Sequence, residues 1–237
     1  MMKYFLPENY KENPVTSFDV DISNNYWNPE RIKTSISYQW AAYQWANEII
    51  KKNRIDRVVD VGCGFAYKLH ALHLENPNVE FHGVDQPNAI ALCRSHYSFG
   101  KWLGVDLEDN PMKPHVKFGL VICSDVIEHV GNPDILINYL KQIVVKHGYI
   151  LISTVERDVL RGHGVLSCPN KAHVREWNAR EFGHYLESRG LSIVQSKLLP
   201  QQKYMFERNY IIKLMKRLIS LKSMRYNQVY LLKVVES

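Results

Sequence analysis

The fold of this chain is decided at Val59-Asp60-Val61-Gly62-Cys63-Gly64-Phe65-Ala66. An apolar run at 57–61 predicts a short buried strand, and a helical pattern follows from 65 to 75. The two glycines between them let the backbone approach a ligand closely, and the start of the helix offers N–H groups with a positive dipole end. We therefore expect a polar ligand at this turn.

The spacing of the small residues separates two kinds of ligand. A dinucleotide fingerprint G-x-G-x-x-G needs small residues at 62, 64 and 67, but residue 67 is tyrosine. The pattern D-x-G-x-G-x-G fits at Asp60, Gly62 and Gly64, with Ala66 in place of the last glycine. The spacing thus argues against a nicotinamide, and a purely structural turn is the alternative.

Strand and helix patterns alternate on both sides of this turn. The alternation predicts an α/β fold, with an open parallel sheet and helices on both of its faces. We expect Asn132 and Asn178 to cap helices. The predicted helices cover residues 28–52, 65–75, 87–95, 132–146 and 178–190, and the predicted strands cover 57–61, 79–84, 102–105, 118–123, 149–153, 191–199 and 228–235.

The composition fits one soluble domain over residues 1–237, with 46% hydrophobic and 23% charged residues. Residues 1–52 form an N-terminal extension and helix in this scheme. The chain has no run of about 18 apolar residues and no apolar stretch typical of a signal peptide at its start, so we expect a cytoplasmic protein. Its cysteines lie far apart without a C-x-x-C pair, which argues against a zinc site or a disulfide framework.

The net charge of +6 comes from one segment, residues 203–227, whose charged side chains are all basic except Glu207. The excess of positive charge is local, so it does not indicate a basic surface over the whole protein that binds the phosphates of a nucleic acid. Apolar residues recur in the segment at roughly helical spacing, which predicts an amphipathic insertion before the last strand. This insertion either packs on the sheet or covers the active site, and contact with a membrane surface is the alternative.

Acidic residues end two further predicted strands. Asp85 ends the second strand about twenty residues after Gly64, where a carboxylate can accept both ribose hydroxyls. Asp106 and Leu107 close the third strand, where they suit an adenine amino group and an apolar ring contact. Each aspartate alone is compatible with strand-end or helix capping, but their joint spacing predicts a nucleoside site.

With these residues in place, the chain resembles the class I S-adenosylmethionine-dependent methyltransferases over about residues 38–200. Two departures are Ala66 at the third glycine position and Tyr149 at the usual second glycine before the fifth strand. The D-V-I-E-H-V run looks like the quinone- and sugar-modifying branch, and residues 169–178 are similar to small methyltransferases of bacterial glycan assembly. The resemblance rests on Asp60-Val61-Gly62-Cys63-Gly64, Gly83-Val84-Asp85, Asp106-Leu107, Ser124-Asp125-Val126-Ile127-Glu128-His129-Val130 and Gly148-Tyr149-Ile150-Leu151-Ile152-Ser153-Thr154.

The resemblance implies a Rossmann-like seven-stranded sheet with its last strand antiparallel. The cofactor, S-adenosylmethionine, would bind at the carboxyl ends of the parallel strands and leave as S-adenosylhomocysteine. The glycine turn would approach its methionyl end, and Asp125 and Val126 would line the reaction side. The expected cofactor residues are Asp60, Gly62, Cys63, Gly64, Asp85, Gln86, Asp106, Leu107, Asp125 and Val126.

Methyl transfer to a hydroxyl also requires a proton acceptor, and a neutral histidine can serve near working pH. His129, His163 and His173 fall on predicted loops that face the cofactor, and His129 ranks first because it follows the fourth strand directly. A structural role is the alternative for each. Arg157 and Arg161 are candidates to hold a phosphate of an activated sugar, and Arg175 is a candidate for acceptor recognition. No histidine and carboxylate spacing indicates a metal site.

We therefore expect an enzyme that methylates an oxygen on a sugar, or on an activated or lipid-linked precursor, in bacterial surface glycan synthesis. Peripheral contact with the inner membrane face through residues 203–227 is part of this hypothesis. Methylation of RNA is one alternative, and a nucleic-acid partner is disfavoured because no aromatic-interleaved basic face is evident elsewhere. A catalytically silent nucleoside-binding partner subunit is the other. The sequence does not indicate an oligomeric state.

Overall fold

The computed structural model describes residues 3–15, 35–109, 111–203, 211–212, 214–215, 218 and 223–235. A seven-stranded sheet forms its centre, and its strands lie in the order β3-β2-β1-β4-β5-β7-β6. Their bounds are β1 Arg57–Val61, β2 Glu80–Asp85, β3 Lys101–Gly104, β4 Phe118–Ser124, β5 Val144–Val155, β6 Leu191–Pro200 and β7 Arg225–Val234.

The strand directions confirm the predicted fold. Strands β1 to β5 pair in parallel, whereas β7 pairs antiparallel with both β5 and β6. The chain first builds the sheet outward through β2 and β3, and then returns to place β4 on the other side of β1. This reversal opens a crevice at the carboxyl ends of β1 and β4, the usual ligand site of such sheets.

Helices cover both faces of the sheet, as the alternating pattern predicts. On one face, α1, α2 and α3 contribute Ile49, Leu69 and Ile90 to a buried apolar cluster. On the other face, α4 and α6 contribute Leu140 and Phe182 to a second cluster. The helices are α1 Trp40–Asn53, α2 Tyr67–Glu75, α3 Pro87–His96, α4 Pro133–Ile143, α5 Arg157–Arg161 and α6 Ala179–Ser188.

The prediction of one continuous helix over residues 28–52 is wrong. Residues 28–34 lie outside the described part of the chain, and residues 35–37 are helical, but the helix stops before α1 begins at Trp40. Gln39 has a left-handed backbone with φ 61°, and the backbone of Tyr38 bridges to Gln202. Pairing with the end of β6 thus replaces helical hydrogen bonds at this point.

Other boundaries also differ from the predictions, most clearly around β5 and β7. The helix after Asn132 ends at Ile143 rather than near residue 146, because Val144 pairs with Phe118 and begins a longer β5. Strand β7 begins at Arg225, inside the segment 203–227. The remainder of that amphipathic insertion lies mostly outside the described residues. Among the described residues, no helix is long and apolar enough to cross a bilayer.

Candidate active site

The glycine turn between β1 and α2 has the tight geometry that its sequence predicts. Gly62 has a φ of 80°, and a Cβ at this position would lie 2.2 Å from the Val126 side chain. The N–H groups of Gly62 and Cys63 donate to the Val84 carbonyl and fix the turn to β2. Only glycine fits at position 62, because both its backbone angle and the approach of Val126 exclude a side chain.

Ala66 occupies the position where the family pattern has its third glycine, and its φ of 55° is also left-handed. Such a conformation costs an L-residue about 1–2 kcal/mol. The turn therefore keeps its shape with alanine at this position, at some cost in stability.

Asp85 ends β2 and connects the glycine turn to the next helix. One carboxylate oxygen accepts a hydrogen bond of 2.7 Å from the Gly64 N–H, and the other accepts one of 2.7 Å from the Gln86 N–H. Burial raises the pKa of Asp85, and these two backbone hydrogen bonds partly offset the effect. The carboxylate is thereby held at the mouth of the crevice.

A cavity of about 930 Å³ fills the crevice, and its wall brings together residues from the ends of β1, β2, β3 and β4. It has the size of a pocket for a small organic ligand. Of the expected cofactor residues, those that line it are Gly62, Cys63, Gly64, Asp85, Gln86, Asp106, Leu107, Asp125 and Val126.

Asp60, the remaining expected cofactor residue, lies behind the turn instead of on the cavity wall. It is 1% exposed and accepts a hydrogen bond of 2.8 Å from the Tyr43 hydroxyl. Burial raises the pKa of Asp60 to about 7, against the opposing effects of Tyr43 and Lys68. Asp60 therefore stabilises the turn by linking it to Tyr43 of α1 inside the protein.

Asp125 follows β4 directly and has a left-handed backbone with φ 54°. Its carboxylate accepts hydrogen bonds from the Ser153 hydroxyl at 2.7 Å and from the Gln201 amide at 3.2 Å. Ser153 of β5 and Gln201, just after β6, therefore hold this strained turn on the cavity wall.

His129 and His173 line the cavity and lie against each other, with ring centroids 4.8 Å apart. The Nδ1 atom of His129 is 2.6 Å from the Ala172 carbonyl, so Nδ1 carries the proton and donates it. The Nδ1 atom of His173 is 2.8 Å from Glu176. Each ring is thus oriented by a partner at Nδ1.

Glu176 is buried behind the cavity wall and contacts two residues that line it, His173 and Arg161. Two guanidinium nitrogens of Arg161, which itself lines the cavity, donate to it at 2.7 and 3.0 Å. Burial raises the pKa of Glu176, but the hydrogen bonds from Arg161 and His173 outweigh this effect and hold the pKa at about 2. Glu176 is therefore an anion at any working pH.

A family model described as a methyltransferase domain matches residues 27–196. The chain belongs to this methyltransferase family. The assignment confirms the expected enzyme class and cofactor, a methyltransferase dependent on S-adenosylmethionine.

Among curated proteins, this methyltransferase is similar to the mitochondrial ubiquinone biosynthesis O-methyltransferase of Dictyostelium discoideum. The two are 28% identical over 166 residues, which cover 58% of this chain and 51% of that protein. A ubiquinone biosynthesis O-methyltransferase of Bordetella avium is 23% identical, with 58% of each chain covered. The chain spans about half the length of the curated relatives it matches.

Among solved structures, the plantazolicin methyltransferase BpumL, in complex with a pentazolic desmethylPZN analog and SAH, has a TM-score of 0.60. It is 14% identical to this chain, covering 93% of this chain and 92% of its own. At this level of identity, the likeness is one of fold alone.

The remaining predicted residues of this methyltransferase lie away from the cavity wall. The His163 side chain is 95% exposed and lies 3.4 Å from Asp158. Arg157 is buried and makes two hydrogen bonds of 2.8 Å to Glu181. Arg175 is also buried, and it donates to the carbonyls of Val130 and Gly131 at 2.8 Å. Arg157 therefore links α5 to α6, and Arg175 links two loops.

Sequence reasoning missed a buried lysine and a buried glutamate on the cavity wall, Lys68 and Glu128. Burial and the charge of Asp125 raise the pKa of Glu128 well above its ordinary value. Donor atoms of Glu128, His129 and His173 lie within 4.8 Å of one another, and a metal ion at this point would require Glu128 to be ionised. The spacing of residues gives no sign of this cluster, because His173 comes from a distant loop.

Proposed function

We propose that this methyltransferase transfers a methyl group to a hydroxyl oxygen of a sugar, or of an activated or lipid-linked sugar precursor, in bacterial surface glycan synthesis. One observation carries the proposal: a single cavity extends from the Asp85 carboxylate to the His129–His173 pair. The molecule to be methylated can therefore lie between a nucleoside cofactor on one side and a proton-accepting group on the other.

The proposed cofactor position follows the order of the strand ends. Asp85 accepts the ribose hydroxyls, Asp106 accepts from the adenine amino group, and Leu107 packs on the adenine ring. The methionyl end lies along the turn at Gly62 and Gly64, which brings the sulfonium toward Asp125 and Val126. The methyl group then faces the part of the cavity that the histidines line.

The chemistry that this arrangement supports is an in-line displacement. The acceptor oxygen forms a bond to the methyl carbon while the bond from carbon to sulfur breaks, leaving S-adenosylhomocysteine. The acceptor proton passes to Nε2 of His129, since Nδ1 of that ring already holds its own proton against the Ala172 carbonyl. Orientation of the two substrates in a confined pocket supplies much of the remaining rate.

Two observations support a polar oxygen acceptor. The curated relatives are named as O-methyltransferases. The cavity wall also carries several hydrogen-bonding side chains, which suit a molecule with many hydroxyl groups. These are Gln39, Arg161, Asn170 and Gln201.

A second candidate acceptor is a ring hydroxyl of a quinone precursor. The names of the curated relatives favour it, because those proteins are ubiquinone biosynthesis enzymes. Such an acceptor uses the same cofactor site and the same proton acceptor, so the two candidates differ only in the molecule that fills the histidine side of the cavity.

A transfer assay distinguishes the acceptors. The protein is incubated with S-adenosylmethionine labelled in its methyl group and, separately, with nucleotide sugars, lipid-linked saccharides, hydroxylated quinone precursors and total RNA. We expect label in the saccharide fractions. Label in the quinone precursor or in RNA instead would contradict the sugar proposal, and cofactor binding without any labelled product would favour a silent partner subunit.

We also propose that the protein is cytoplasmic and contacts the inner membrane face through residues 203–227. Apolar side chains at Ile211, Ile212, Met215 and Leu218 are between 42% and 59% exposed, and the segment is basic. Such a surface suits anionic lipid headgroups. We expect co-sedimentation with phosphatidylglycerol vesicles at low salt, and a protein that stays in the supernatant would end this part of the proposal.

A further inference from the structure

Lys68 is a buried cation on the cavity wall. It lies in the first turn of α2, directly after the glycine turn, and it is 8% exposed. Its Nζ donates one hydrogen bond of 3.3 Å to the Ser35 carbonyl. Its Nζ also lies 5.3 Å from the centre of the Tyr43 ring. An ammonium has three donors, so the contacts with described residues leave part of its hydrogen-bonding capacity for a ligand.

The acidic residues around Lys68 do not complete its contacts. Asp60 and Asp125 lie close enough to favour the charged form of Lys68. However, one oxygen of Asp60 is bonded to Tyr43, and those of Asp125 accept from Ser153 and Gln201. Within the described parts of the chain, Lys68 forms no ion pair at 4 Å or less, and the second oxygen of Asp60 has no partner.

Burial of such a cation lowers the stability of the folded protein unless an anion pairs with it. Burial lowers the pKa of Lys68, and the nearby aspartates only partly counter this effect. A buried charge without a close partner destabilises the folded protein. An anionic ligand entering the cavity would supply the missing partner.

We propose that Lys68 binds the carboxylate of the methionyl part of the cofactor. The inference rests on the proposed function, which assigns the ribose to Asp85 and the adenine to Asp106. With those ends of the ligand fixed, the methionyl part extends along the turn at Gly62 and Gly64, toward the start of α2. Lys68 is the buried cation at that end of the turn, and its charge matches the carboxylate.

Two ligands separate this role from a structural one. S-adenosylhomocysteine carries the carboxylate, whereas 5′-methylthioadenosine has the same adenosine and thioether sulfur without the amino acid. We compare the dissociation constants of both ligands by calorimetry for the native protein, Lys68→Met and a control, Lys52→Met, which changes an exposed lysine on α1.

We expect Lys68→Met to raise the dissociation constant of S-adenosylhomocysteine at least tenfold. The dissociation constant of 5′-methylthioadenosine should change less than twofold. The control should change neither ligand. An equal loss for both ligands would overturn the inference, because it would mean that Lys68 only shapes the site. Unchanged binding of both ligands would also overturn the inference. Lys68 would then pair with an anionic group of the methyl acceptor or with no ligand.

The inference and the proposed function fail in different ways. If the native protein binds neither ligand, both are overturned. If it binds both ligands and Lys68→Met leaves their ratio unchanged, only the role of Lys68 is overturned. Should Lys68→Met not fold, Lys68→Gln is judged by the same ratio of dissociation constants.

Discussion

At the scale of single residues, Asp85 has two functions to reconcile. Its oxygens already accept from the N–H groups of Gly64 and Gln86. Each carboxylate oxygen has two lone pairs, so ribose hydroxyls can be accepted in addition. The backbone contacts therefore orient the carboxylate for the ligand.

Replacing Asp85 with alanine should weaken the binding of S-adenosylhomocysteine at least tenfold, because charge-assisted hydrogen bonds are lost. Calorimetry measures the effect, and Glu75→Ala, an exposed acid at the end of α2, is the control. Unchanged affinity in Asp85→Ala would remove this residue from the cofactor site.

His129 is the proposed proton acceptor, so its loss should affect turnover and not cofactor binding. We expect His129→Asn to lower kcat by about 10²–10⁴-fold, the usual contribution of a general base. The dissociation constant of S-adenosylhomocysteine should stay within twofold. A variant with native kcat would exclude this role, and the same measurement on His173→Asn tests the neighbouring ring.

Asp60 should make stability depend on pH. Its folded pKa of about 7 lies above the unfolded value of about 3.9. The folded state therefore holds the proton more tightly, and the stabilisation is fully present below pH 4 and is lost as the pH rises through 7.

Asp60→Asn mimics the protonated acid and removes this dependence. We expect the unfolding free energy of the variant to exceed that of the native protein at pH 8. The difference should shrink by about 3 kcal/mol at pH 5. Urea unfolding at the two pH values measures it. A difference that stays constant or grows toward pH 5 would show that Asp60 is already ionised in the folded state.

At the scale of elements, the caps are what the sequence predicted best. The Asn178 side chain accepts a hydrogen bond from the Glu181 N–H, and the Glu181 carboxylate accepts one from the Asn178 N–H. The two bonds form a capping box at the start of α6. Asn132 likewise accepts from the Asp134 N–H. Both caps depend on residues within one helical turn, so local sequence is sufficient to identify them.

Replacing Asn178 with alanine should lower the unfolding free energy by about 1–2 kcal/mol, because an N–H at the helix start loses its acceptor. Arg180→Ala, at an exposed position of the same helix, should change it by less than about 0.5 kcal/mol. Equal losses in the two variants would argue against a capping role.

The interruption before α1 was not predictable from local sequence. The 28–52 pattern is helical, yet the Gln39 N–H donates to the Gln201 carbonyl and the Lys203 N–H donates to the Ser37 carbonyl, just after the end of β6. That pairing joins parts of the chain more than 160 residues apart. Tertiary hydrogen bonds can override helix propensity, and single-sequence patterns do not contain them.

At the scale of the whole molecule, the position of the cavity follows from features that the sequence carries. Asp85, Asp106 and Asp125 each follow a predicted strand, and parallel strands end at one edge of the sheet. Their convergence on one cavity was therefore predictable, unlike the environment of Lys68 and the placement of His173 beside His129. Those contacts depend on side-chain directions and on loops that only the folded chain brings together.

The central claim is that this cavity binds an adenosyl sulfur cofactor and not a nicotinamide. Calorimetric titration of the native protein with S-adenosylhomocysteine, and separately with NAD, tests it directly. We expect one equivalent of S-adenosylhomocysteine to bind and NAD to give no saturable heat. Saturable binding of NAD, or no binding of S-adenosylhomocysteine, would contradict the account.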